Sequence, residues 1–117
     1  MSGNNFKIAN TLQQQPVYSS TGPVDVAAGA YLVPLTNYDA NFFTRIKGAS
    51  NYMEFYAEGD LILRFRTIKT QLTPAESLPP VALRENVFKT ITFLEQITEV
   101  YISNPSGSAV SMDAVAV

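Results

Sequence analysis

Any chemistry in this chain must come from ten carboxylates, eight cations and the hydroxyls of serine, threonine and tyrosine, because histidine, cysteine and tryptophan are absent. The usual general base near neutral pH and the readiest nucleophile are both missing. Carboxylates crowd most around Glu54, Glu58 and Asp60. As the acid and base of a glycosidase, two carboxylates four positions apart on one strand would stand ~13 Å apart. Such chemistry uses roughly 5–9.5 Å. As calcium ligands the three match no calcium-loop spacing, and turn chemistry around Gly59 accounts for Asp60 more simply. No G-x-S-x-G or S-x-x-K pattern activates a hydroxyl, and the six glycines are scattered without forming a phosphate loop. The expectation is a protein that is not an enzyme and uses neither metal nor cofactor.

What positions these groups is a chain unusually poor in charge. Charged residues make up 15% of it, against about 25% in an ordinary soluble domain. A surface kept polar by Asn, Gln, Ser and Thr is less costly to bury against a neighbour than one studded with Lys and Glu. At 117 residues and 46% hydrophobic content, one domain with one core is expected, with apolar surface left over for association. The net charge of −2 argues against a nucleic-acid partner, which favours a basic patch. The first residues, MSGNNFKIANTLQQQ, lack the apolar core of a signal peptide, and no segment approaches the roughly 20 apolar residues of a membrane span. Synthesis in a cytoplasm and no membrane partner are therefore expected, and no disulfide is possible.

The periodicity is that of strands. Residues 1–23 read as an extended N-terminal arm, polar and closed by Gly22-Pro23, and residues 24–117 as the β-domain. Val24 and Val26 alternate, and Tyr31, Val33 and Leu35 line the next segment, with Pro34 marking it as an edge strand. Phe42 to Lys47 alternates as a further strand. In NYMEFYAEGDLILRFR, residues 51–66, Met53, Phe55 and Ala57 share one face, as do Leu61, Leu63 and Phe65. Read as a hairpin, these two strands need a loop of odd length, with Gly59 available for a left-handed conformation. Glu54 then lies opposite Arg64 and Tyr52 opposite Arg66, or Glu54 lies opposite Ile62 and diagonal to Arg64. Residues 70–86 form a long connection in which Pro74 to Glu76 can open a short helical turn that Pro79-Pro80 stops. Residues 87–93, 97–103 and 110–117 are strand-like, with Asn104-Pro105-Ser106-Gly107 a strong turn signal. The expected core comprises Val24, Val26, Tyr31, Val33, Leu35, Phe42, Ile46, Met53, Phe55, Leu61, Leu63, Phe65, Phe93, Val100, Ile102, Val110 and Met112. The fold class is all-β, a single β-sandwich or jelly-roll-like barrel of about seven to nine strands.

Two candidate contact surfaces follow. In the arm, Phe6, Ile8, Leu12, Val17 and Tyr18 supply apolar anchors that a purely solvating tail would not need. On the outer face of the 51–66 pair, Tyr52, Tyr56, Arg64 and Arg66 are the residue types enriched at protein–protein hot spots.

The segment Val100-Tyr101-Ile102-Ser103-Asn104-Pro105-Ser106-Gly107, within residues 88–117, resembles the ending of many small tailed-bacteriophage structural proteins. VDVAAGAYLV, residues 24–33, resembles the early strand–turn–strand of the same β-sandwich proteins. The resemblance implies a virion protein, foremost a capsid decoration (cement) protein, whose partners are the major capsid or other virion proteins. The apolar excess of so small a chain leads to an expected homo-oligomer, a trimer or dimer, or a subunit stable mainly on its assembly, with trimers favoured by the decoration reading. The alternatives are a neck, tail or baseplate component, or a carbohydrate-binding receptor-recognition module that uses Tyr52 and Tyr56.

Overall fold

The computed structural model describes residues 18–117. It contains eight strands: β1 (Ser19–Ser20), β2 (Val24–Val26), β3 (Val33–Pro34), β4 (Ser50–Ala57), β5 (Leu61–Thr67), β6 (Pro80–Leu83), β7 (Lys89–Ser103) and β8 (Val110–Ala116). All pairings are antiparallel. The first half of β7 pairs with β4, β4 with β8, and β8 with β2 and its continuation β1. The second half of β7 lies between β3 and β5, and β5 carries β6 on its other side. These are two four-stranded layers, ordered β2-β8-β4-β7 and β3-β7-β5-β6, which is jelly-roll connectivity with its two penultimate strands fused into one.

The fusion works through bulges. Two steps along β4, from Ser50 to Tyr52, span five along β7, from Ile97 back to Thr92. One step along β5, from Arg66 to Thr67, spans two on β7, from Glu99 to Ile97. Surplus residues on one strand bend it and raise its twist, which is how a strand passes from one layer of a sandwich to the other. The sequence reading as two strands, 87–93 and 97–103, is therefore corrected to one strand that changes layer.

The expected 51–66 hairpin is also corrected. β4 and β5 are not bonded to each other; they form an arch, each in its own layer. Phe55 and Phe65 meet edge-to-face across the sandwich, with ring centroids 5.7 Å apart. The alternation had shown that both apolar sets face one core, but not whether the strands stand side by side or across from each other. Gly59 does not adopt a left-handed conformation; its Cα faces Val110, where an added Cβ would lie 2.8 Å from a valine methyl. Glu54 pairs with Thr90 and Val115, and Arg64 with Tyr101 and Pro80, on opposite outer faces. A double-mutant cycle on Glu54 and Arg64 should accordingly show no coupling beyond about 0.5 kcal/mol. A clear attractive coupling in denaturant titrations would restore the hairpin.

Residues 42–47 are not a strand. Phe42, Phe43 and Ile46 are all buried, a helical-turn spacing, and Thr44–Ile46 form a 3₁₀ turn closed by Lys47 at φ 64°. The expected helical turn after Pro74 is present at Ala75–Ser77. Beyond it, within the span read as a connection, β6 opens at Pro80; among the described residues it bonds only to β5, an edge position where proline's missing N–H is tolerated. Pro34 likewise sits in a strand that, among the described residues, is bonded only to β7. The 1–23 boundary of the arm moves, because Ser19 and Ser20 already pair with Ala116 and Val115.

Of the expected core, Val26, Leu35, Phe42, Ile46, Met53, Phe55, Leu61, Leu63, Phe65, Val100, Ile102, Val110 and Met112 are buried. Val24, Val33 and Phe93 are half-buried, and Tyr31 is 67% exposed, because β3 begins only at Val33. The Asn104 turn is real, but it joins the two layers and closes no hairpin. Asn104 is fully buried, and its side chain fastens this turn to β2.

Candidate functional site

Because β4 and β8 pair in register, with Glu54 opposite Val115 and Tyr56 opposite Asp113, their outward residues form a two-by-two patch on the first layer. Ser20 on β1 lies beside Val115, and Phe88, just before β7, packs against Tyr56 with ring centroids 6.4 Å apart and planes tilted by 36°. Together they line an open groove of about 530 Å³, a volume in the range of small-ligand sites. The Tyr56 hydroxyl donates to Asn86 Oδ1 at 2.9 Å, which fixes the ring at the wall of the groove. Tyr52 donates its hydroxyl to Glu54 Oε2. That hydrogen bond to the Glu54 carboxylate holds the Tyr52 phenol above its usual pKa, so it remains a donor across the physiological range. Among the described residues no lysine or arginine lines the groove, and neither Glu54 nor Asp113 forms an ion pair.

The second outer face is built differently. Arg64 donates to the carbonyls of Glu76 and Leu78 at 2.8 and 2.7 Å. Arg66 donates to the carbonyls of Thr70 and Thr73 and to the Tyr101 hydroxyl, and its guanidinium lies 5.3 Å from the Tyr101 ring centroid. Both arginines strap the 68–79 connection onto the layer. The single contact surface expected from Tyr52, Tyr56, Arg64 and Arg66 is thus divided: the tyrosines share one face and the arginines hold a loop on the other. Tyr18, just before β1, is 65% exposed. Phe6, Ile8, Leu12 and Val17 lie outside the described residues.

Phe88, Asp113 and Ser20 were not singled out from sequence. Asp113 carried a signal, since it alternates with the buried Met112 and Ala114 and so must face outward. Its meeting with Tyr56 depends on a pairing between positions far apart in the chain. Asp60, considered above as a metal ligand, instead accepts the backbone N–H of Glu85 at 2.7 Å and faces Arg84. Among the described residues, no three acidic side chains gather at one point, and no helix is long and apolar enough to cross a membrane.

Fold and surface define an all-β sandwich that carries an aromatic, acidic groove. No protein-family model matches the chain, and no curated protein matches it. Among solved structures it is similar to a de novo designed double-stranded β-helix, at 11% identity and a TM-score of 0.47, covering 79% of this chain and 91% of the designed one.

Proposed function

We propose that this chain is a structural subunit of a virus particle, foremost a capsid decoration protein, that acts through protein–protein contacts without catalysis. The observation that carries the reading is the outer edge of β7. Among the described residues its first half is bonded to β4 on one side only, and Leu94 on it is fully exposed. Glu95, the next residue, is tied to Thr67 and Lys69 at the start of the 68–79 connection. In that connection Ile68 is 52% exposed and Leu72 fully exposed. A groove of about 390 Å³, walled by Phe65, Phe93, Leu78 and Pro79, opens beside Leu94 and Glu95. Monomeric proteins blunt such edges with charge or cover them, because an unpaired strand beside apolar side chains recruits another chain. The low charge of the whole chain and the phage-like segments 24–33 and 100–107 support the same reading. A place in the neck, tail or baseplate would use the same surface.

The test is co-sedimentation with particles, combined with sedimentation of the isolated protein. The expected result is an oligomer, or a subunit that attaches to particles in many copies. Leu72→Glu with Leu94→Glu should reduce attachment at least about tenfold, since each buried leucine contributes ~2 kcal/mol. The melting temperature should hardly change, because neither side chain is in the core. A strict monomer with no affinity for particles would overturn the proposal. Deleting residues 2–17, which spares the pairing of β1, tests the arm: its loss should weaken attachment and leave the β-domain folded.

A further inference from the structure

We propose that the groove over β4 and β8 binds a neutral sugar. The argument concerns a different surface from the assembly edge and stands independently of that reading. Sugar rings present one apolar C–H face and a rim of hydroxyls. Recognition therefore needs an aromatic platform beside acceptors and donors. The groove has both. Phe88 is 64% exposed, far more than a phenylalanine ring with a structural partner requires, and the Tyr56 ring beside it is locked by Asn86. Across the floor, Glu54 and Asp113 sit diagonally on adjacent strands, where such neighbours lie roughly 7–8 Å apart. That spacing lets two carboxylates accept from hydroxyls of a single ring. One oxygen of Glu54 is already held by Tyr52, which orients the carboxylate and leaves its other oxygen for a ligand. The Ser20 hydroxyl stands across Val115 from Glu54 and supplies a donor.

The alternative ligand for carboxylates beside aromatics is a quaternary ammonium, which favours rings enclosing it on several sides. Here two rings stand at one wall of an open groove, and hydroxyls that a methylated cation cannot use are present. An anionic ligand is disfavoured by the absence of any lining cation among the described residues. The chemistry selects an uncharged polyol with a flat apolar face.

The experiment is an amide chemical-shift titration of the full chain with neutral hexose and N-acetylhexosamine oligosaccharides chosen from a printed glycan array, with choline as the cationic control. The expected result is saturable shifts around Ser20, Glu54, Phe88 and Asp113. Phe88→Ala should weaken binding about tenfold through loss of the stacking ring, and Asp113→Asn should weaken it severalfold, both with unchanged circular dichroism. Binding that is indifferent to both substitutions would overturn the proposal. So would shifts produced by choline alone, or the absence of saturable binding to every neutral glycan.

Discussion

Phe55→Ala should lower the stability of the β-domain by about 3–5 kcal/mol, the usual cost of removing a fully buried aromatic. The ring is 1% exposed. It packs edge-to-face on Phe65, which in turn stacks against Phe93 at 5.1 Å. These three side chains come from β4, β5 and the first half of β7, so they hold the two layers together where the arch and the bent strand meet. Single domains are stable by only about 5–15 kcal/mol, and at this size each kcal/mol shifts the midpoint by roughly 4–8 °C. The substitution should therefore bring the melting temperature down by at least ~12 °C. Phe55→Leu keeps most of the volume and should cost about 1 kcal/mol. Equilibrium denaturation of both variants decides the matter. A loss below ~1.5 kcal/mol for the alanine variant would mean that the ring does not bridge the layers.

Asn104→Ala is the second large effect expected, although the position lies in a turn. The Asn104 amide donates to the carbonyls of Val26 and Ser108 at 3.1 and 2.8 Å, and its oxygen accepts from the Ser106 N–H and hydroxyl at 3.0 and 2.7 Å. Its own backbone N–H donates to the Ala30 carbonyl at 2.8 Å, and its carbonyl accepts from Gly29 at 2.9 Å. One residue therefore ties the crossing between layers to β2 and to the turn after it. Truncation leaves polar groups unpaired where water cannot readily reach them, at about 1–3 kcal/mol for each buried group. A total loss of about 2–4 kcal/mol is expected, or a midpoint lowered by roughly 8–32 °C. Asn104→Asp separates donor from acceptor, because it keeps the oxygens facing Ser106 and turns a carboxylate towards two carbonyls. Burial and those carbonyls raise the folded-state pKa of the introduced carboxyl. Its penalty is therefore smallest in mild acid and grows as pH rises past the ordinary carboxylate range. A melting profile for this variant that is flat with pH, or an alanine variant as stable as the parent, would refute the tie.

Much of this architecture was legible before any coordinates. Period-two alternation identified the inward residues of β4, β5 and β8, because a pleated strand can bury only every second side chain. Pro34 announced an edge, and Asn104-Pro105-Ser106-Gly107 announced a reversal, because proline and glycine constrain the backbone locally. The lack of histidine and cysteine narrowed the chemistry by composition alone. Local signals failed where local patterns are degenerate. An alternating pair around Glu58-Gly59-Asp60 reads identically as a hairpin or an arch, since both send Phe55 and Phe65 into the same core. Phe42 to Lys47 alternates on paper, yet burying Phe42, Phe43 and Ile46 together requires a helical turn. Lys89 to Ser103 looked like two strands because its bulges, which carry it from one layer to the other, interrupt the pattern at Phe93 to Thr98.

The β class, the inward faces, the edges and the turns follow from residues within a few positions of one another. Which strands are neighbours does not, and it was set when the two layers packed. That choice placed Tyr56 beside Asp113 and Phe88, turned Arg64 and Arg66 onto a loop, and left one side of β7 without a bonded strand among the described residues. Strand pairing across tens of residues is selected by how well whole faces bury together. No local spacing encodes that sum, so the groove and the outer edge came into view only once the layers had closed.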